Sequence, residues 1–215
     1  MVNDMFGHIN LEGVKGVLID LDNTLYPYLP NHQRSMEICL IHCEKKYGIP
    51  GAQFTDIFKQ SRSDVHRDLH GQAASHSRLL YFLKFSESFF GKTNPVFALE
   101  MEELYWSEFL SGMMFNPGAE EFLKEMSFRG IGSCLVTDLT THIQMRKWNV
   151  LNLGRYIDFM VSSEEAGIEK PAPGIFEMAL KKLKLEAKDV IMLGDSEEKD
   201  IKGAEALGIR AYLIR

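Results

Sequence analysis

A short apolar run near the amino terminus ends in two carboxylates, and this feature restricts the fold more than any other. Residues 17–19 are valine, leucine and isoleucine, and Asp20 and Asp22 follow within three positions. Strands without polar alternation are typical of parallel sheets that helices cover on both faces. Open α/β sheets place their sites at the carboxyl ends of the strands. We therefore expect Asp20 and Asp22 to belong to a functional site.

The rest of the chain divides into a helical part and an alternating part. Residues 31–111 carry four helical patterns and little strand signal, which suggests a small helical bundle. From residue 117 onward helix and strand patterns alternate, which predicts a parallel sheet. The first strand must join that sheet, because it has no other partner. We predict an α/β fold, a Rossmann-like parallel sheet with helices on both faces (1–27 and 113–215), interrupted by a helical-bundle cap (28–112).

The composition excludes several classes of protein. The net charge of −6 argues against binding to a nucleic acid polymer, which usually requires a basic surface. No run approaches the about 20 apolar residues that cross a membrane, and we see no signal-peptide pattern. The three cysteines, Cys39, Cys43 and Cys134, form no disulfide framework, which favours a reducing compartment. We expect a cytoplasmic protein; the sequence does not determine its oligomeric state, for which we favour a monomer.

Polar residues follow three of the predicted strands. Thr137 and Asp138 come after the second strand and Asp195 after a later one, in addition to the carboxylates after the first. In a parallel sheet these strand ends meet at one edge. Lys170 heads a loop that leads into a helix, and Asp200 lies five positions after Asp195. We expect these groups to converge on one site.

Four acidic groups in one site need positive charge or shared protons. Asp20, Asp22, Asp195 and Asp200 carry up to four negative charges, whereas Mg²⁺ and Lys170 would supply three positive ones. Carboxylate oxygens are ligands that Mg²⁺ accepts, together with water and substrate phosphate. A carboxylate nucleophile beside a metal and a lysine suits phosphoryl transfer.

Four stretches, in this order, resemble the motifs of the haloacid dehalogenase superfamily of hydrolases. They are residues 20–24 (DLDNT), 136–138 (VTD), 169–176 (EKPAPGIF) and 194–204 (GDSEEKDIKGA). Each alone could be a turn or a helix cap, but their joint occurrence in family order is specific. The predicted insertion resembles the family's helical C1-type cap. Residues 25–26 (LY) resemble the branch that contains pyrimidine 5′-nucleotidases.

The resemblance implies a role for each carboxylate. Asp20 would be the nucleophile that attacks phosphorus. Asp22 would protonate the leaving group and then deprotonate the water that hydrolyses the aspartyl-phosphate. Asp20, the backbone carbonyl of Asp22, and Asp195 would hold Mg²⁺, with Asp200 in support of the metal and of Lys170.

The other motif residues would bind the phosphoryl group. The resemblance implies this role for Lys170, for the hydroxyl of Thr137 and for the backbone N–H of Asp138. Many family members carry Asn where this chain has Asp138. Because a carboxylate repels a phosphoryl group, we expect the Asp138 side chain to point away and cap the next helix.

Asp22 discriminates between the activities of the superfamily. An alkoxide leaving group needs a proton, whereas a halide leaves without one, and the dehalogenase branch lacks this aspartate. The resemblance therefore implies a Mg²⁺-dependent phosphatase that acts on a small phosphate ester, either a nucleotide or a sugar or organic phosphate. Two alternatives stay open: a phosphomutase, and a receiver-like module that binds phosphate without catalysis.

A group of basic residues in the predicted cap has two interpretations. Its members are His66, Arg67, His70, His76 and Arg78. They could recognise a substrate anion, but a solvated helix face is the interpretation that we favour, because charge runs usually are that. Tyr26, near the predicted cap, could contact the leaving group or pack at a hinge.

Overall fold

The chain folds into two compact units in a computed structural model that describes residues 5–215. The first, which we call the sheet unit, contains the described residues up to Tyr28 together with Met113–Arg215. The second, the helical unit, is Leu29–Gly112. Residues 1–4 of the predicted core domain lie outside the described residues.

The sheet unit is built on five parallel strands, which are β1 (Gly16–Ile19), β2 (Gly132–Thr137), β3 (Phe159–Ser162), β4 (Val190–Gly194) and β5 (Arg210–Leu213). Their order in the sheet is β3-β2-β1-β4-β5. Residues of β1 are fully buried, as its unbroken apolar sequence predicts. Because β2 and β4 flank β1 on opposite sides, the carboxyl end of β1 lies where the strand order reverses, the usual position of a ligand site.

The helical unit is a bundle with an aromatic core. Its helices are α1 (Tyr28–Tyr47), α2 (Gly51–Asp68), α3 (Arg78–Phe90) and α4 (Pro95–Ser111), with a 3₁₀ turn at Ala73–His76. Phe85 is central: its ring lies 5.2 Å from that of Phe97 and 5.4 Å from that of Phe54. Within the described residues, no helix is both long and apolar enough to cross a membrane.

The basic residues of the helical unit do not form one solvated face. Arg67 is exposed and pairs with Asp64 and Asp68, as expected for a surface charge. Arg78, in contrast, is only 7% exposed, and its guanidinium carbon lies 5.2 Å from the ring of Tyr105. The favoured interpretation is therefore wrong for Arg78, because cation–π contacts hold this side chain inside the bundle.

The remaining helices of the sheet unit connect its strands. They are α5 (Ala119–Phe128), α6 (Thr141–Val150), α7 (Ser163–Ala166), α8 (Pro173–Leu183) and α9 (Gly203–Glu205), with a π-helical turn at Glu197–Lys202 and 3₁₀ turns at Leu153–Arg155 and Ala187–Asp189. Leu18, Val136 and Met192 pack in one apolar cluster with Ile175 and Phe176 of α8. This architecture confirms the predicted α/β fold with a parallel sheet.

Candidate active site

The carboxylate of Asp20 lies directly after β1 and is held at both oxygens. Its Oδ1 accepts a hydrogen bond from Nζ of Lys170 at 2.6 Å, and its Oδ2 accepts one from Oγ1 of Thr24 at 2.9 Å. The chain turns sharply between Asp20 and Thr24, where Asn23 adopts a left-handed conformation with φ of 67°. Asparagine tolerates that conformation better than most residues, which explains its place in the DLDNT motif.

Lys170 connects three strand ends of the sheet. Besides Asp20, its ammonium group donates to Oδ1 of Asp200 at 2.7 Å and to the backbone carbonyl of Val136 at 3.0 Å. These three contacts use all three of its donors. Burial by itself would lower the pKa of Lys170, but Asp20 and then Asp200 outweigh it and raise the pKa. The side chain is therefore a permanent cation in the site.

A π-helical turn brings Asp200 back to the end of β4. Its Oδ2 accepts a hydrogen bond from the backbone N–H of Ser196 at 3.0 Å. Gly194 leaves the space that this turn requires, because a Cβ there would lie 2.3 Å from Cγ of Asp200. A glycine at the last position of β4 is therefore a steric requirement of the site.

Three carboxylates form a group that suits a divalent cation. One oxygen each of Asp20, Asp195 and Asp200 lies within 4.8 Å of the others. Burial raises the pKa of Asp20, and Asp200 and Asp195 raise it further against the opposing effect of Lys170. Burial and Asp200 also raise the pKa of Asp195. One lysine does not neutralise three acids, so a hard cation with oxygen ligands fits this donor set.

Asp22 faces a different environment from Asp20. Nζ of Lys147 contacts its Oδ1 at 2.6 Å and its Oδ2 at 2.9 Å, and the hydroxyl of Tyr26 donates to Oδ1. Burial alone would raise the pKa of Asp22, but Lys147 and the hydrogen bonds to it outweigh burial and lower the pKa. Asp22 is therefore a carboxylate in this arrangement, whereas its predicted acid role needs a proton.

Thr137 and Asp138 lie at the end of β2. Oγ1 of Thr137 accepts a hydrogen bond from Nε2 of Gln144 at 2.6 Å. Oδ1 of Asp138 accepts from the backbone N–H of Lys170 at 3.1 Å, and Oδ2 pairs with Nζ of Lys199 at 2.8 Å. The expectation that Asp138 caps the next helix is wrong, since Thr140 is the N-cap of α6. Lys199 instead balances the negative charge of the Asp138 carboxylate.

The structure brings together every residue that the sequence predicted for the site, and it adds partners that the sequence did not reveal. Thr24 and Lys199 lie inside recognised motifs, residues 20–24 and 194–204, so their positions are a usable signal. Tyr26 follows the first motif, and the sequence allows it either a contact with the leaving group or a place at a hinge. Gln144 and Lys147 carry no signal, because isolated polar residues on a helix usually face solvent. The added partners are Thr24, Tyr26, Gln144, Lys147 and Lys199.

Comparison with known proteins identifies the family. The sequence profile of a family described as haloacid dehalogenase-like hydrolase matches residues 14–208, which include all four motifs. The chain belongs to the haloacid dehalogenase-like hydrolase family. It is 40% identical over 199 residues to a ribulose-1,5-bisphosphate 5-phosphatase of Halopiger xanaduensis, covering 92% of this chain and 83% of the relative.

A more distant relative and a solved structure are also similar to this haloacid dehalogenase-like hydrolase. A glyceraldehyde 3-phosphate phosphatase of Methanocaldococcus jannaschii is 26% identical over 196 residues, which is 91% of this chain and 82% of the relative. A solved haloacid dehalogenase-type phosphatase from Thermococcus onnurineus superposes with a TM-score of 0.73 at 23% identity, over 94% of this chain and 86% of that one. The latter likeness shows the fold alone.

Two predictions are thereby confirmed: the superfamily and the identification of the enzyme as a phosphatase. The C1 type of the cap and the nucleotidase-like branch stay predictions, as do the individual roles of the site residues.

Proposed function

We propose that this protein is a Mg²⁺-dependent phosphatase that hydrolyses a small phosphorylated metabolite through an aspartyl-phosphate on Asp20. One observation carries the proposal: the Asp20 carboxylate is oriented by Thr24 and Lys170 within the group of acids that includes Asp195 and Asp200. A carboxylate nucleophile needs this orientation and a strongly positive neighbour to meet a phosphate dianion.

The metal site in this proposal consists of Asp20, Asp195 and the backbone carbonyl of Asp22, with Asp200 in support. The chemistry that Mg²⁺ supplies when bound is neutralisation of negative charge on the phosphoryl oxygens. Lys170 contributes a second, fixed positive charge. Thr137 and the backbone N–H of Asp138 would complete the phosphoryl site, with Lys199 holding the Asp138 carboxylate.

Asp22 serves both halves of the proposed reaction. The lowered pKa favours its carboxylate, which is the form that accepts a proton from the hydrolytic water. The first half needs the protonated form, which protonates the leaving oxygen. Because a nearby negative charge raises the pKa of a carboxyl group, arrival of a phosphate dianion shifts Asp22 toward that form.

We propose a sugar phosphate rather than a nucleotide as the substrate. The relatives in support are a ribulose-1,5-bisphosphate 5-phosphatase and a glyceraldehyde 3-phosphate phosphatase, both of which act on short sugar phosphates. Residues 28–112 would be the cap domain that selects among such esters, and 1–27 with 113–215 the core domain that reacts.

The test is a phosphate-release assay on a panel of esters. Its members are ribulose-1,5-bisphosphate, glyceraldehyde 3-phosphate, a pyrimidine 5′-nucleotide and p-nitrophenyl phosphate, each with Mg²⁺ and with EDTA. We expect release that requires the metal, and a loss of roughly 10⁴-fold or more in Asp20→Asn. Asp189→Asn is the matched control, since Asp189 precedes β4 at the other end of the strand and pairs with Lys15.

Three results would contradict the proposal. Activity that survives both EDTA and Asp20→Asn excludes the mechanism. Return of the phosphoryl group to a sugar hydroxyl, without release of phosphate, indicates a phosphomutase. A phosphoprotein that persists without turnover indicates a receiver-like module.

A further inference from the structure

We propose that Lys147 is a positioning residue for the carboxyl group of Asp22, and that α6 thereby aligns the proton-transfer group with the phosphoryl-binding end of β2. The inference rests on the proposed function, because it concerns how Asp22 performs its role there. No motif of the sequence points to Lys147.

The contact between Lys147 and Asp22 fixes the plane of the carboxyl group. The ammonium group lies within hydrogen-bond distance of both oxygens, at 2.6 and 2.9 Å. Tyr26 adds a second donor to Oδ1 and also lies beneath the ammonium group, whose Nζ is 5.7 Å from the ring centroid. A carboxyl group held by two partners cannot rotate freely about its Cβ–Cγ bond.

Burial of Lys147 makes an incidental ion pair a poor explanation. The lysine side chain is fully buried, whereas that of Asp22 is 29% exposed. Removing an ammonium group from water is costly, and replacing a buried ion pair by apolar residues is often neutral or stabilising. Stability alone therefore gives little reason to place a lysine here, whereas orienting a reacting group does.

Gln144 extends the contact to the phosphoryl site. It lies three residues before Lys147 on α6, so both side chains project from one side of the helix. Its Nε2 donates to Oγ1 of Thr137 and to the backbone carbonyl of Asp138, both at 2.6 Å. One helix thus holds the hydroxyl at the end of β2 through Gln144 and the carboxyl after β1 through Lys147.

The orientation of the Gln144 amide supports this arrangement. Among the described residues, its Oε1 is one of the buried side-chain atoms without a hydrogen-bond partner. Nε2 also lies 3.5 Å from Oδ2 of Asp22. Rotating the amide would place Oε1 against the carbonyl of Asp138, so the three acceptors determine which way the amide faces. An unsatisfied buried oxygen costs free energy, which indicates that the three contacts of Nε2 are retained for more than stability.

The leaving group gives a readout that separates positioning from structural support. An alkoxide needs the proton of Asp22 as the P–O bond breaks, whereas p-nitrophenolate is stable enough to leave without it. The ratio kcat/KM reports the steps up to this cleavage. Misplacing Asp22 therefore reduces kcat/KM for an alkyl phosphate and spares it for the aryl phosphate. Loss of the Lys147 charge would by itself favour the protonated form of Asp22, so a decrease for the alkyl phosphate reports the position of the carboxyl group and not its charge.

The experiment compares Lys147→Met with wild type on p-nitrophenyl phosphate and on the alkyl phosphate that wild type hydrolyses fastest. We expect kcat/KM for the alkyl ester to fall roughly 100-fold and that for the aryl ester by less than about 5-fold. Asp22→Asn is the reference and should give the same pattern. Lys182→Met is the matched control, because Lys182 pairs with Glu165 and the carbonyl of Met160.

A milder variant covers the case in which Lys147→Met fails to fold. Tyr26→Phe removes only the hydroxyl that donates to Asp22, and it should lower kcat/KM for the alkyl ester roughly 10-fold with the aryl ester unchanged. The same decrease for both esters, or no decrease for the alkyl ester, would overturn the inference. If Asp22→Asn itself shows no preference between the esters, the proposed role of Asp22 fails instead.

Discussion

The sheet unit and the helical unit bury different kinds of side chain. In the sheet unit, Asp20, Lys147, Lys170 and Asp200 are charged groups that solvent hardly reaches. In the described part of the helical unit, Arg78 is the one charged residue among the buried ones, and rings such as Phe85 and Trp106 form the interior. Buried rings contribute directly to stability, whereas buried charges cost free energy unless they are paired. The sheet unit thus buries the charged groups of the candidate active site, whereas the helical unit buries mainly aromatic side chains.

In the comparison between the two units, the largest expected effect follows from removing the cation that Asp20 and Asp200 share. Lys170→Met leaves Asp20 and Asp200 buried without their positive partner. We expect phosphate release to fall roughly 10³-fold or more. The free energy of unfolding should decrease by about 3–5 kcal/mol in metal-free buffer, as urea denaturation would measure.

A lysine elsewhere in the sheet unit provides the comparison for Lys170. Lys182→Met removes contacts to Glu165 and a backbone carbonyl near the surface. It should change stability by less than about 1 kcal/mol and leave activity intact. Equal effects of the two variants would show that Lys170 has no special place in the charge balance.

In the helical unit, the largest effect should come from an aromatic ring. Phe85→Ala removes a fully buried ring with neighbours at 5.2 and 5.4 Å, and should reduce the free energy of unfolding by about 3–5 kcal/mol. Phe128→Ala in α5 of the sheet unit, at a residue that is 89% exposed, is the comparison and should cost less than about 0.5 kcal/mol. A small effect at Phe85 would mean that the bundle repacks readily, and the contrast between the units would disappear.

A smaller effect should follow from adding a methyl group beside the acids. Gly194→Ala places Cβ about where Asp200 now lies, at 2.3 Å from its Cγ, and should cost about 1–3 kcal/mol while it lowers phosphate release. Gly174→Ala is the matched control, since the nearest atom to its Cβ is 3.9 Å away. Retention of full activity in Gly194→Ala would contradict the steric requirement.

The smallest expected effect is a pH dependence of the free energy of unfolding, which arises from His32 in the helical unit. Burial, followed by Arg78 and Arg62, lowers the pKa of His32 from its usual 6.5 to about 4. Between these pH values the unfolded chain binds a proton that the folded chain does not, so stability should decrease as the pH falls from 6.5 toward 4. Urea unfolding at pH 7 and pH 5 would measure this decrease. His32→Asn should reduce it, and an unchanged pH dependence would assign it to other groups.

The fold and the acids of the site were predictable because their signals are local. Apolar runs of strand length, helical periodicity and four motifs in order can each be recognised without knowing what the chain contacts. The convergence of the site residues was also predictable, because polar residues that follow parallel strands must meet at one edge of the sheet. These residues are Asp20, Lys170, Asp195 and Asp200.

The partners of these acids were less predictable, because they depend on contacts between distant positions. Lys147 lies 125 residues from Asp22, and Lys199 lies 61 residues from Asp138. Each is a single lysine on a helix or turn, a pattern that usually means an exposed charge. The wrong expectation for Asp138 has the same origin, because the nearby start of α6 is evident from sequence, whereas the contact with Lys199, 61 residues away, is not.

Asp20 and Asp22 show most clearly which properties the sequence determines and which depend on the tertiary structure. Their spacing after a buried strand and their place in the DLDNT motif were enough to indicate phosphoryl chemistry from sequence. Their different electrostatic states could not be predicted from sequence, because a pKa depends on burial and on neighbouring charges that folding assembles from across the chain. In the folded protein acids crowd Asp20, whereas Lys147 and Tyr26 hold Asp22 as a carboxylate.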